Sequence, residues 1–343
     1  MKPYIFNEYS APVVIAPHTL LMINKDLYHL VLFEYKKNII INTFKVKHKT
    51  NTKLFFSNGI IIYGIRDEKK SYKSIIQNLN FKKEKFSIED TVPIEIRNDF
   101  ILGHHIVSNI IYNRLVYIPN KKEILSLKND EYSLYLFNDK NLYYLNKNSL
   151  LKFENSTGEK VWETDLTDLL GEIKYNTFSR FNWDVNDHVL WSQLDDGRLM
   201  LFDDNNGAFL EFVSNPYPDG KYGYYLMDKI NGKMIKLRND TYYEIDLKTK
   251  EISYFEIPEI KLKNFTPNGL FVQNDTHVFF NTERGDKIYS LDKKTKSLEL
   301  IYEINQEGVG KDDWPRQMTH MNYDKGKLIV ADNKGTTYIF DEL

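Results

Sequence analysis

The sequence predicts an all-β protein, because one strand–turn–strand pattern recurs along it and tight-turn residues separate its apolar runs. Six Asn-Gly or Asp-Gly pairs supply the positive φ angles that short hairpins need. The pattern occurs in residues 150–166, 199–212, 242–257 and 287–304, and a fifth copy begins at Thr336. Each first strand ends in an acidic residue, and these residues are 49, 43, 46 and 49 positions apart: Glu154, Asp203, Asp246, Asp292 and Asp341. Since four-stranded propeller blades repeat about every 40–50 residues, the sequence predicts a β-propeller of four-stranded antiparallel blades.

The N-terminal blades are harder to count. Stepping back from Glu154 by about one period gives a hairpin at 114–129, and another step gives a hairpin at 60–76 with Asp67 at the acidic position. The total is then seven blades. The hairpin 27–46 is an eighth candidate, although its Glu34 stands only 33 residues before Asp67. We prefer seven blades, keep eight as the main alternative and regard six as less favoured.

The two ends of the sequence predict how the last blade is completed. The fifth copy stops after its third strand, at Asp341. The N-terminal residues 3–16 contain extended apolar runs ahead of the first blade. We therefore expect residues 1–15 to supply the closing strand, because closure removes two exposed sheet edges. Residues 1–343 are then one propeller domain, with a single helical turn expected at 165–171.

Composition excludes several classes of protein. The 343 residues contain no cysteine, which rules out disulfides, thiolate metal sites and a cysteine nucleophile. A net charge of −2 argues against a nucleic-acid binder. The N-terminus lacks a secretory signal, and its apolar stretch 13–23 is too short for a membrane span of about 20 residues. If the sequence is the full-length product, we expect a cytoplasmic monomer that does not engage a membrane.

One stretch of the chain is basic. Between Glu34 and Asp67 there is no acidic residue, whereas six lysines and Arg66 occur there. Two interpretations stay open. The stretch is an edge strand that lysines protect against aggregation, or it is a basic patch that faces an acidic partner.

The segment 149–166, SLLKFENSTGEKVWETDL, resembles a repeat of the pyrroloquinoline-quinone-type propellers, which belong with WD40-like propellers. In that family an acidic residue, a Thr-Gly turn and a Trp that docks between blades follow one another, and here Glu154, Thr157, Gly158 and Trp162 match them. The resemblance implies the fold. The family's quinoprotein dehydrogenases also use a cysteine pair beside the quinone and a calcium site. Because the cysteines are absent, we expect no cofactor, and we interpret the recurring acid as a turn device.

No catalytic motif is present. The sequence contains neither Gly-x-Ser-x-Gly nor His-Glu-x-x-His. Of its eight histidines, His104 and His105 are adjacent, and neighbours on a strand point to opposite faces. We therefore predict no catalytic residue and no metal ligand.

Three segments ahead of well-formed strands are rich in Tyr, Trp and Arg, namely 175–191, 215–225 and 312–331. We expect each to enter a blade's innermost strand and to border the crown on one face of the propeller. Trp, Tyr and Arg dominate binding hot spots. The alternative is that Trp183 and Trp314 only pack between blades. The predicted binding residues are Arg180, Trp183, Tyr217, Tyr222, Trp314, Arg316 and His320.

These observations leave three hypotheses for function. The first is a non-enzymatic, protein-binding propeller of the bacterial cytoplasm, in its sharpest form an immunity-type protein that caps a toxin or effector. The second is a propeller hydrolase or lyase with a site at the channel mouth, which a ring of acids and histidines would favour. The third is a sensor of a small molecule or glycan, which a deep aromatic pocket would favour.

Overall fold

The computed structural model describes residues 2–7, 9–46, 49–66, 72–78, 86–107, 110–129, 134–146, 148–170, 178–194, 196–214, 225–238, 240–262, 267–282, 284–306 and 314–341. This part of the chain forms eight four-stranded antiparallel sheets that follow one another along the sequence. The predicted all-β class with four-stranded blades is therefore confirmed.

Strand β1 (Tyr4–Phe6) belongs to the last sheet, and the next sixteen strands form the first four sheets. The first sheet holds β2 (Tyr9–Ala16), β3 (Thr19–Asn24), β4 (His29–Glu34) and β5 (Ile39–Lys45), and the second holds β6 (Thr50–Ser57), β7 (Ile60–Arg66), β8 (Tyr72–Asn78) and β9 (Phe86–Glu89). The third holds β10 (Thr91–Arg97), β11 (Phe100–Val107), β12 (Ile110–Tyr117) and β13 (Lys122–Lys128), and the fourth holds β14 (Leu134–Phe137), β15 (Asn141–Asn146), β16 (Ser149–Glu154) and β17 (Lys160–Asp165).

The remaining strands form four more sheets, and two short helices lie between sheets in the sequence. The fifth sheet holds β18 (Phe178–Asn186), β19 (Val189–Leu194), β20 (Leu199–Asp203) and β21 (Phe209–Val213), and the sixth holds β22 (Leu226–Asp228), β23 (Lys233–Arg238), β24 (Thr241–Asp246) and β25 (Ile252–Glu256). The seventh holds β26 (Pro267–Gln273), β27 (His277–Thr282), β28 (Lys287–Asp292) and β29 (Leu298–Glu303), and the eighth holds β30 (Met318–Asp324), β31 (Lys327–Asp332), β32 (Thr337–Asp341) and β1. Helix α1 (Thr167–Leu170) is the predicted helical turn, and α2 (Pro258–Leu262) was not predicted.

The recurring acidic residue builds the turn between the third and fourth strands of a sheet. The Oδ1 atom of Asp246 accepts hydrogen bonds of 2.9 Å from the backbone N–H groups of Lys248 and Thr249. Asp292 does the same for the two equivalent residues, at 2.8 and 2.6 Å. In four of the five copies the fourth residue after the acid has a positive φ, which explains why two copies place glycine there: Gly158 (75°), Gly207 (75°), Lys250 (63°) and Lys296 (60°). The interpretation of the acid as a turn device is confirmed.

The preferred count of seven blades is wrong, and the alternative of eight is correct. In the sixth sheet the acidic Asp246 lies opposite Lys233, the first residue of the second strand. The same register position holds Glu34 in the first sheet, Asn78 in the second and Tyr117 in the third. Asp67, which we had placed there, follows a second strand and lies outside the described residues. The first sheet was the one left out of the count, because Glu34 lies only 33 residues before Asp67. Glu34 lies 44 residues before Asn78, the true position in the second sheet, which is a full blade period.

An N-terminal strand completes the last sheet, as predicted. Residues Tyr4 and Phe6 of β1 lie opposite Ile339 and Thr337 of β32. The closing strand is shorter than the predicted segment 1–15, because residues from Tyr9 onward form β2 and open the first sheet instead.

The chain divides into two compact units. One comprises residues 1–10, 195–199 and 213–343, and the other comprises residues 11–194 and 200–212. Within each unit the core lies between neighbouring sheets. In the first unit Ile235 and Tyr242 pack with Phe280 and Leu291; a second cluster, in the other unit, joins residues of β15–β17 with residues of β19 and β20. That residues 1–343 act as one domain stays a prediction.

Trp162 docks on the sheet that follows its own, as the quinone-type resemblance implies. Its indole Nε1 donates a 2.8 Å hydrogen bond to the backbone oxygen of Asp204. The Asp204 carboxylate in turn accepts hydrogen bonds from Tyr143, at 2.6 Å, and from Lys152, at 2.9 Å. All four residues are buried. These buried hydrogen bonds join the β14–β17 sheet to the neighbouring β18–β21 sheet within the second unit.

The basic stretch contains the outer strand β5, which pairs with β4 alone in its sheet. Ile39, Ile40 and Ile41 on this strand are 47%, 51% and 48% exposed. This arrangement supports the edge-strand interpretation, since lysines beside an exposed apolar strand oppose edge-to-edge pairing. Among the described residues, neither helix has the length or the apolar character that crossing a membrane requires.

Candidate binding surface

The loop that leads into β30 is held in place on both sides. The side chain of Gln306 brackets the backbone of Arg316, accepting from its N–H at 2.8 Å and donating to its carbonyl at 3.0 Å. Asn333 does the same on the other side, accepting from the N–H of Gln317 at 3.1 Å and donating to the carbonyl of Pro315 at 2.9 Å. Four side-chain bonds thus fix residues 315–317 without any regular secondary structure.

Trp314 begins this fixed loop and is 78% exposed, the largest exposure among the big apolar side chains of the described residues. The alternative that Trp314 only packs between blades is therefore wrong. Exposing an indole to water is unfavourable by the hydrophobic effect. A large aromatic side chain next to a rigid backbone segment has the character of a binding anchor, since little further ordering is needed when a partner covers it.

Arg316 has a different role from Trp314. Its guanidinium lies 3.4 Å from Oδ2 of Asp332, whose side chain is fully buried, and 3.1 Å from the hydroxyl of Thr336. The Asp332 carboxylate also accepts hydrogen bonds from the Tyr338 hydroxyl and from the N–H groups of Lys334 and Thr336. Burial raises the pKa of Tyr338 to about 12, and the charge of Asp332 acts in the same direction.

Arg316 therefore compensates a buried charge. A buried carboxylate is costly unless it is paired and hydrogen-bonded. The Arg316 side chain is still 28% exposed, so part of it faces solvent beside Trp314. Its main effect is to hold the loop to the last sheet, and the binding role predicted for it stays a prediction.

The other predicted binding residues lie either in strands or outside the described residues. His320 lies in strand β30 rather than in the loop before it, opposite Ala331, and it is exposed. Arg180 and Trp183 also lie in a strand, β18, and not in a loop, and their side chains are outside the described residues. Tyr217 and Tyr222 lie outside the described residues as well. Trp314 and Arg316 thus lie in the loop before β30 and His320 lies within β30, and the wider crown stays a prediction.

The described residues do not contain three or more His, Asp or Glu side chains placed to share a metal ion. His105 directs Nδ1 to the backbone oxygen of Asp90 at 3.0 Å. The expectation that purified protein carries no metal and no cofactor stays a prediction.

Comparison with known proteins adds to the description of the fold. No protein-family model matches the chain, and no curated protein matches it in sequence. Among solved structures, BamB from Moraxella catarrhalis is similar, with 12% identity, a TM-score of 0.62 and coverage of 99% of this chain and 98% of that one. Saccharomyces cerevisiae Sqt1 has 12% identity, a TM-score of 0.64 and complete coverage of both chains.

The C-terminal WD40 domain of Sif2 is also similar, with 11% identity, a TM-score of 0.63 and coverage of 99% and 98%. The fold is a β-propeller. The resemblance to quinone-type and WD40-like propellers is thereby confirmed for the architecture. At identities this low, the likeness establishes the fold alone.

Proposed function

We propose that this propeller is a non-enzymatic protein-binding module whose contact surface includes Trp314 and the fixed loop 314–317. The observation that carries the proposal is the 78% exposure of Trp314 beside a backbone held by Gln306 and Asn333. Loops on a rigid scaffold commonly carry binding function. The propeller neighbours are consistent with a scaffold for protein interaction.

A binding anchor of this kind contributes binding free energy in proportion to the apolar area that the partner buries. Truncation of a central Trp commonly costs about 2 kcal/mol or more, which corresponds to a loss of affinity of roughly 30-fold. Arg316 serves the site by keeping the loop in place, so its removal combines a binding effect with a loss of stability.

The test compares wild-type protein with Trp314→Ala as baits for affinity capture from its native cells, followed by titration of any partner that is retained. We expect the partner to bind wild-type protein at least tenfold more tightly than Trp314→Ala. Tyr254→Ala is the matched control, because Tyr254 is an aromatic residue that is 70% exposed on a different sheet. A partner that binds Trp314→Ala and wild-type protein equally would contradict the proposal for this surface.

A finer form of the proposal is an immunity-type role in the bacterial cytoplasm, in which the monomeric propeller caps a toxin or effector. Co-expression tests it directly. A partner captured through Trp314 should inhibit growth when produced alone, and wild-type propeller should restore growth where Trp314→Ala does not. A captured partner with no effect on growth would remove the immunity role and leave the binding role standing.

A further inference from the structure

The last strand of the first sheet is open on its outer side. Among the strands that the structure describes, β5 pairs with β4 alone and ends its sheet. Six of its seven residues are exposed, so the protein itself covers little of this strand. They include Ile39, Ile40 and Ile41, whose exposure to water is unfavourable. An exposed apolar strand of this kind is a candidate surface for a partner.

The outer side of β5 also presents backbone hydrogen-bonding groups. Val46, directly after β5, donates its N–H to the backbone oxygen of Tyr28 at 2.8 Å. Because an antiparallel strand turns every second N–H toward its neighbour, the N–H groups of Lys45 and Thr43 face away from β4. The Thr43 N–H accordingly donates to the side-chain oxygen of Asn42, at 2.8 Å. Asn42 is exposed, so its side chain can turn away when a further strand takes its place.

Lysines flank the isoleucines at both ends. Lys36 and Lys37 precede β5, Lys45 ends it and Lys49 follows it, and all four residues are exposed. Lys37 lies 2.9 Å from the Glu34 carboxylate, whereas Lys45 and Lys49 have no ion-pair partner among the described residues. The open edge is therefore apolar in its middle and positively charged at its ends.

This charge pattern distinguishes β5 from the corresponding strands of the other sheets. The fourth strand of each sheet from the second to the seventh contains an acidic residue: Glu89, Glu123, Glu163, Glu211, Glu256 and Glu299. Strand β5 contains none, and no acid occurs between Glu34 and Asp67. Because a carboxylate at a strand edge repels an acidic segment, the absence of one from β5 leaves this edge open to such a segment.

The charges also decide between a second copy of the chain and a different partner. Antiparallel pairing of two β5 strands, centred on Ile41, would place Lys37 of one copy opposite Lys45 of the other. Like charges in such cross-strand positions are destabilising, whereas an acidic segment brings the opposite charge. We propose that β5 binds an acidic, extended segment of a partner protein, which adds to the first sheet as a fifth strand, with apolar residues beside the isoleucines and carboxylates near Lys37 and Lys45. This surface is additional to the Trp314 surface and belongs to the other compact unit.

Synthetic peptides of about nine residues, blocked at both ends, test the proposal, since the chain from Lys37 to Lys45 spans about 26 Å when extended. Each peptide carries two glutamates at either end, so that carboxylates reach the lysines in a parallel or an antiparallel alignment. Three centres are compared, namely Val-Thr-Val-Thr-Val, Ile-Thr-Ile-Thr-Ile and Phe-Thr-Val-Thr-Phe. In fluorescence anisotropy with the full chain, at least one should bind with a Kd below about 1 mM. It should bind about tenfold more tightly than its lysine-flanked counterpart or a version with proline at the centre.

Thr43→Pro should weaken this binding at least tenfold, because it removes an N–H from the open edge and leaves those that face β4 in place. Lys45→Glu should reduce the preference for the glutamate-flanked over the lysine-flanked peptide at least fivefold. Lys248→Glu is the matched control and should bind as wild type does, because Lys248 is an exposed lysine in a turn of the sixth sheet. Thermal unfolding identifies any variant that has not folded.

The proposal fails if none of the three glutamate-flanked peptides binds at concentrations up to about 1 mM, or if a lysine-flanked peptide binds as tightly. It also fails if folded Thr43→Pro protein binds as wild type does. A wild-type dimer in sedimentation analysis that Thr43→Pro abolishes would assign the edge to a second copy of the chain instead. Trp314→Ala should bind the peptides as wild type does, so a failure here leaves the proposed role of the Trp314 surface untouched.

Discussion

Trp162 occupies the space into which a side chain at residue 207 would have to point. A Cβ atom added to Gly207 would lie 2.6 Å from Cε3 of the Trp162 ring and 2.7 Å from the hydroxyl of Thr164. Trp162 and Gly207 belong to neighbouring sheets of one compact unit, and both occur within the repeat. Glycine at this turn therefore satisfies two demands at once, a φ of 75° and the close approach of an indole.

Gly207→Ala should consequently destabilise the protein by more than its backbone angle requires. A non-glycine residue at positive φ costs roughly 1–2 kcal/mol, and overpacking adds about 1–3 kcal/mol. Gly59→Ala separates the two effects, because Gly59 has the same φ of 75° and nothing within 4 Å of its added Cβ. Chemical denaturation should show a loss at least about 1 kcal/mol larger for Gly207→Ala. Equal losses would mean that the Trp162 contact is easily relaxed.

A second prediction concerns the closing strand. Phe6 is 4% exposed and Ile5 is 47% exposed, although both belong to β1. Phe6→Ser should therefore lower the unfolding free energy by about 3 kcal/mol and promote aggregation, since loss of β1 would uncover the edge of β32. Ile5→Ser should change the stability by less than about 1 kcal/mol. Thermal unfolding and light scattering measure both. If the two variants behave alike, β1 does not close the sheet in solution.

A third prediction concerns alkaline pH. Burial raises the pKa of Tyr135 to about 12, with Glu95 contributing, and burial raises the pKa of Tyr338 to a similar value. A tyrosine in the unfolded chain ionises near 10. The stability that these protonated tyrosines provide is therefore complete below pH 10 and is lost as the pH rises from 10 through about 12.

Unfolding free energies measured between pH 8 and 12 should show this decline, and Tyr338→Phe should make it shallower. Tyr254→Phe serves as the control, because the side chain is 70% exposed and should leave the decline unchanged. A wild-type protein whose stability is constant up to pH 12 would show that these tyrosines ionise normally in the folded state.

A fourth prediction concerns acid pH and Asp228. Burial acts to raise the pKa of this carboxyl, but hydrogen bonds from Lys293 and Asn231 outweigh burial and hold the pKa below its ordinary value of 3.8. The stabilisation is therefore present above pH 4 and is lost as the pH falls through the lower folded-state value. Asp228→Asn should cost on the order of 3 kcal/mol at neutral pH, because it leaves Lys293 without its partner.

The difference in unfolding free energy between wild-type protein and Asp228→Asn should shrink as the pH falls below 4. Asp275→Asn is the control, since the Asp275 side chain is exposed and its replacement should leave the stability at acid pH unchanged. A difference that stays constant with pH would show that Asp228 contributes by its shape and not by its charge.

The sequence predicts the C-terminal sheets well because the third strand of each ends in an acidic residue. That residue makes the same pair of backbone hydrogen bonds at Asp246 and at Asp292, so its spacing reports the blade period directly. In the second and third sheets the position holds Asn78 and Tyr117. Other residues can form the same turn, and a pattern based on acids cannot detect them. Asp67 therefore replaced Asn78 as the expected turn residue of the second sheet, which put Glu34 too close to it and left the first sheet out of the count of seven.

The site residues were harder to predict for a different reason. Exposure distinguishes Trp314 from Trp162, and exposure depends on which side of a strand or loop faces a neighbouring sheet. The buried ion pair of Asp228 with Lys293 was not predicted at all, because the two residues are 65 positions apart in the sequence. One signal was present in the sequence, namely a lysine directly after the acidic turn residue at Lys293, where the preceding repeat has Leu247.

The pairing of β1 with β32 also sets the earliest time at which the last sheet can be completed. Asn7 and Thr336, which share a 3.2 Å hydrogen bond, are 329 positions apart. A ribosome that adds about 5–20 residues each second needs roughly 16–66 s to travel that distance. During this interval β1 has been synthesised and its partner has not. The last sheet therefore cannot be completed before β32 has been synthesised, and a nascent chain that stalls earlier would present β1 unpaired to chaperones and proteases.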